Sequence, residues 1–136
     1  MHGTDAGLLS IREVLAIAGV VDAVAGADSD AGRLAVAWTI RNRVHGSSQP
    51  VAAVVGGLCR DLPADARCRC SPAALLDRRC DDGFCRSLAQ VALAWADAAP
   101  DPTDGAWRFH RHDRLPDWAR DRSPTALIGS HFFYAR

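Results

Sequence analysis

The chain has 136 residues, 49% of them hydrophobic and 24% charged, and its sixteen basic side chains balance sixteen acidic ones. This is one domain's worth of chain with enough apolar material for a core, which excludes a fibre, a disordered segment and two full-sized domains. Zero net charge leaves no overall field to gather nucleic acid or anionic lipid, although every cation is an arginine and most follow Arg60. With no run of about eighteen uninterrupted apolar residues, no membrane span is expected.

Taken in chain order, Leu8, Ile11, Leu15, Ala18 and Val21 recur at spacings of three and four and predict a first amphipathic helix. Ser10 with Glu13 forms a capping-box pattern at its start, with Thr4 as the alternative cap. The stretch from Val14 to Ala27 is apolar and ends in small residues, yet Asp5, Glu13 and Asp22 surround or interrupt it and Arg12 is the only cation before it. That is not a recognisable signal peptide. Asp30 is placed to cap a second helix whose stripe is Leu34, Ala37, Ile40 and Val44, with Arg33 and Arg41 near its inner face. Gly46 and Pro50 end it, and Val51, Val54 and Val55 predict a short third helix to about Leu58.

Regular periodicity then fails. Between Cys59 and Cys85 lie all five cysteines, many arginines and two prolines, and only Ala73 to Leu76 reads as helical. A long irregular segment needs a constraint, and disulfides are the expectation. The alternatives are zinc held by Cys68, Cys70, Cys80 and Cys85, for which the first pair is tightly spaced, and reduced thiols. No other cofactor is called for. Asp81 or Asp82 opens a further helix in which Phe84, Leu88, Val91, Ala92 and Trp95 recur at helical spacing as far as Pro100. The aromatic and β-favouring stretches Trp107 to Arg111 and Ile128 to Ala135, separated by a loop with Pro116 and Pro124, predict a small antiparallel hairpin. The expected architecture is therefore mainly α with a minor β element, a single domain over residues 1–136 with a cysteine-rich loop at 59–85.

Several polar and aromatic residues have two readings. Asp22 belongs either to the solvent face of the first helix, to a buried pair with an arginine such as Arg41, or to an active site; Asp28 and Asp30 suit a turn and a cap. Asp101-Pro102-Thr103 suits a turn. Phe109, Trp118 and Tyr134 are either core aromatics or faces on which a sugar ring can stack, and His131 is either a structural hydrogen bonder or a substrate contact.

Three segments in order, "GRLAVAWTIRNRV" at Gly32 to Val44, "DPTDGAWRFH" at Asp101 to His110, and "IGSHFFY" at Ile128 to Tyr134, together with Pro116 and Trp118, resemble the spore-cortex-lytic type of cell wall hydrolase. The resemblance runs from about Val20 to Tyr134 and implies a lysozyme-like fold that cleaves the peptidoglycan glycan strand in the lytic-transglycosylase or muramidase manner, without a metal. It further implies that Asn42 and Arg43 stand at or beneath a cleft wall, with Asn42, Phe109, Trp118, His131 and Tyr134 as substrate-binding candidates. The family carries its catalytic glutamate at the end of the first helix, in a Tyr-Gly-Glu-Ala-Arg-Gly-Glu stretch, whereas this chain has glutamate only at Glu13. Counted back without gaps from Gly32, the catalytic position falls on Val24 and the last glutamate on Asp28. A two-residue insertion instead places Asp22 in the acid's position. Asp22, with Asp28 as fallback, is the expected general acid, and it should open onto the groove near Phe109 and Tyr134. The implied partner is peptidoglycan, at the cell envelope or in a virion. The alternative is a catalytically degenerate structural or peptidoglycan-binding subunit, for example of a phage particle assembled with other chains.

Overall fold

In the computed structural model, the described residues are 8–62 and 82–136. The elements in order are α1 (Ile11–Ala25), α2 (Asp30–Ser47), α3 (Val51–Arg60), α4 (Asp82–Trp95), β1 (Ala106–Arg111), a single 3-10 turn (Asp117–Ala119), β2 (Ala126–Ile128) and β3 (His131–Ala135). The expected cysteine pairing or zinc site at Cys68, Cys70 and Cys80, and the helical turn at Ala73 to Leu76, fall outside the described residues. Cys59, on α3, is a free thiol. Among the described residues no helix is long and apolar enough to cross a membrane.

α1 starts where its residues dictate. Ser10 Oγ accepts the Glu13 N–H at 3.1 Å while Glu13 Oε1 accepts the Ser10 N–H at 2.8 Å, so two otherwise orphaned donors are satisfied reciprocally. Its inner face buries Ile17, Val20 and Val21 completely, each stabilising the fold by roughly 1.5–3 kcal/mol relative to exposure. α2 departs from the expected stripe. Ala35 to Ile40 are all buried, because α1, α3, α4 and β1 pack around this helix from different sides. A helix covered on every side has no polar face to display. Asp30 lies inside its first turn rather than at its cap, which is Ser29, and there it pairs with the buried Arg33.

The anticipated hairpin is a three-stranded antiparallel sheet in the order β1-β3-β2. The run from Ile128 to Ala135 is not one strand, because Gly129 at φ +58° turns the chain and splits it into β2 and β3. A left-handed backbone suits glycine, and here space enforces it too, since a Cβ on Gly129 would lie 2.8 Å from Asp28 Oδ2. In the register, Phe109 faces Phe133 and Arg108 faces Tyr134. Phe133, fully buried, joins the helical core, so one face of the sheet packs on the helices.

Candidate active site

The sheet is tied to α2 by one aspartate. Asp101 Oδ1 accepts from the Thr103 N–H (2.8 Å) and hydroxyl (2.6 Å), and Oδ2 accepts from the Gly105 N–H and from Asn42 Nδ2, both at 3.0 Å. Asn42 also donates to the carbonyl of Ala106, the first residue of β1. Burial pushes the Asp101 carboxyl up, but the bonds from Thr103, Asn42 and the Thr103 and Gly105 amides outweigh it and hold the carboxyl below its ordinary range. Asn42 thus fixes where β1 begins relative to α2, with both amide hydrogens committed inside the protein.

A second aspartate ties β3 to the loop between α1 and α2. Asp28 Oδ1 accepts the Ser130 hydroxyl at 2.7 Å, and Asp28 Oδ2 lies 3.4 Å from His131 Nδ1 without hydrogen-bond alignment. His131 is buried, which lowers its pKa; Asp28 opposes the shift, while Arg111 and His110 reinforce it, and the net direction is down. The imidazole is held neutral behind Phe109, whose ring meets it edge-on at 5.5 Å.

Between the C-terminal ends of α2 and α3 and the edge strand β1 runs a groove of about 260 Å³, lined by Arg43, Leu58, Asp61, Arg108, Phe109 and Trp118. Aromatic packing behind it fixes the Trp118 indole, which meets Tyr134 edge-on at 5.1 Å. His110 stands beside them, its Nδ1 2.7 Å from the Arg111 carbonyl and its Nε2 2.8 Å from the Tyr134 hydroxyl. A carbonyl only accepts, so Nδ1 carries the hydrogen and neutral Nε2 accepts from Tyr134. The Arg108 guanidinium lies 5.4 Å from the Trp118 ring centre. Burial, followed by repulsion from Arg108, lowers the Arg43 pKa, and Asp61 partly restores it.

The residues singled out by sequence divide into two groups. Phe109 and Trp118 line the groove, with Tyr134 and His131 directly behind them, and Asn42 stands beneath, next to Arg43 in the wall. Asp22 and Asp28 do not line it. Asp22 is only 5% exposed, on the α1 face turned to α4, where the fully buried Ser87 hydroxyl donates to Oδ1 at 3.3 Å. Arg41 does not serve it; that guanidinium bonds Asp97 and the Ala94 carbonyl. Glu13 is bound in its capping box about two and a half turns of helix before Asp22. Val24, the position reached by ungapped counting, is half-buried and packs against the core. Sequence reasoning missed Leu58, Asp61 and Arg108 as groove residues, because no local pattern links α3's last turn to a strand about fifty residues later.

Two solved structures share this architecture. The catalytic domain of the Bacillus cereus SleB protein aligns at a TM-score of 0.72 with 24% identity over 93% of this chain and 92% of that one. The catalytic domain of the germination-specific lytic transglycosylase SleB from Bacillus anthracis aligns at 0.69 with 23% identity over 93% and 96%. The likeness establishes the mainly α, lysozyme-like fold with its small antiparallel sheet. No curated protein matches the chain. A family model does, and it spans residues 27–134, from the loop before α2 to the buried tyrosine of β3. On that match the chain belongs to the Cell Wall Hydrolase family.

Proposed function

We propose that the protein acts on the glycan strand of peptidoglycan, which it holds in the groove between β1 and the ends of α2 and α3, and that it cleaves that strand in the lytic-transglycosylase or muramidase manner. The observation that carries the reading is the groove itself: Trp118 and Phe109 offer apolar faces for pyranose rings beside polar arginine donors, on the fold of a cell wall hydrolase. In this reading Asp22 is the general acid, with Asp28 as fallback. What supports the assignment is place in the chain, since Asp22 is a carboxylate near the end of α1, where the resemblance puts the family's acid.

One observation favours a second reading, in which the domain binds peptidoglycan without cutting it. Asp22 is sealed against α4 and accepts from Ser87, so transfer to a glycosidic oxygen requires that contact to open. Digestion of purified peptidoglycan, with mass spectrometry for anhydro-muropeptides, separates the two readings. Asp22→Asn should reduce cleavage by roughly a hundredfold or more, because it retains the shape and removes the proton. Unchanged cleavage in that variant excludes Asp22, and no cleavage by the parent protein selects the binding reading.

The cysteine-rich segment in this reading is stapled by disulfides rather than by zinc, supported by the density of cysteines where regular periodicity fails. Intact mass should fall by about two hydrogens for each bridge, whereas a fully reduced mass with bound zinc would reverse the assignment.

A further inference from the structure

Several arginines among the described residues have acceptors within the protein. Arg33 bonds Asp30 and the Gly26 carbonyl, Arg41 bonds Asp97 and the Ala94 carbonyl, Arg111 bonds Asp113, and Arg122 bonds the Ala135 carbonyl. Arg43 differs. It is half-buried in the groove wall, yet among the described residues its guanidinium has no hydrogen-bonded acceptor and no ion pair within 4 Å. An exposed arginine without a partner is solvated by water, but one held half out of water beside a second cation forgoes hydration with nothing in return. Arg108 is that second cation, its guanidinium carried on the Trp118 face and likewise without an acceptor among the described residues.

We propose that Arg43 and Arg108 form a carboxylate-binding subsite that reads the acidic substituents of the glycan strand, while Trp118 and Phe109 take the sugar rings. This rests on the reading of the groove as a glycan-strand site and adds to it a reason to prefer a muramyl strand over an uncharged one. Two guanidiniums and one opposing carboxylate, Asp61, leave the groove with one net positive charge. A bound carboxylate would neutralise it and take charge-assisted hydrogen bonds from the donors left unused. In peptidoglycan the carboxylate comes either from the stem peptide or, where the stem has been removed, from the lactyl group it leaves behind.

The test measures binding by the full chain to three probes: N-acetylglucosamine oligomers, glycan strands stripped of stem peptides by an amidase, and strands that retain them. The parent protein should bind a carboxylate-bearing strand roughly tenfold more tightly than the uncharged oligomer at low salt, with the margin shrinking as salt is raised. Whichever charged strand gives the margin identifies the source of the carboxylate. Arg108→Gln and Arg43→Gln should each remove most of that margin, measured within each variant as its affinity for the charged strand relative to its own affinity for the uncharged oligomer. Arg108 is exposed, so its variant avoids the packing change that the half-buried Arg43 position risks. Equal affinity of the parent for all three probes, or a margin that survives both substitutions, overturns the subsite while leaving glycan binding intact. Failure of the parent to bind any probe overturns the groove reading and the subsite with it.

Discussion

Where the sheet joins the helices, the carboxylate oxygens are fully engaged: Asp101 takes donors from its own turn on Oδ1 and from that turn and Asn42 on Oδ2, and both oxygens of Asp28 face donors of Ser130. In the groove beside that seam, the arginine donors are left open. The contrast separates groups that hold the fold from groups that await something else. A buried polar group without its partner costs free energy, so positions that serve only stability are normally satisfied internally. Asp22 belongs with the first set, through Ser87, and that is why its catalytic assignment depends on a kinetic test more than on its address.

The contrast breaks most visibly if the seam is cut. Asp101→Ala removes the acceptor of four donors at once and should destabilise the protein by about 2–3 kcal/mol, read by chemical denaturation. A loss no larger than that of Arg108→Gln would erase the distinction between the two regions. A smaller effect comes from acid. His131 has a lowered pKa in the folded protein, so as pH falls below the ordinary histidine value the unfolded chain takes up a proton that the folded chain refuses. Stability should therefore decline from about pH 6.5 downward until the folded value is reached, and His131→Asn should flatten that slope. Asp101 adds to the decline only at lower pH, because its contribution is whole above the ordinary carboxyl value of 3.8 and is lost between that value and its depressed value in the fold, where the unfolded chain takes up a proton and the folded chain does not.

What could be read in advance followed range. The capping box at Ser10 and Glu13, the stripe from Phe84 to Trp95 and the Asp101 turn are local, set by spacings of two to four residues, and the structure reproduces them. The hairpin expectation treated Ile128 to Ala135 as continuous because the β-favouring run masked Gly129, whose turn is fixed by Asp28 about a hundred residues earlier. Arg41 illustrates the same limit: its partner, Asp97, stands just past the C-terminus of α4, and no pattern within either segment announces the pair. The groove was legible in its aromatics and, through the resemblance, in Arg43. Phe109 and Trp118 stand out by type, whereas Leu58, Asp61 and Arg108 are ordinary residues until separate elements bring them together.

The six successive buried residues of α2 carry a consequence beyond packing. Over nearly two turns this helix has no side on which water can enter, so its amides cannot exchange their hydrogens by local fraying. They open only when α1, α3, α4 and β1 come away, which makes exchange at Ala35 to Ile40 a report of global unfolding rather than of local motion. The sheet hangs on this helix through Asn42, two residues beyond that sealed stretch. The groove is therefore built against the slowest-opening part of the molecule, and its walls keep their spacing for as long as the protein stays folded.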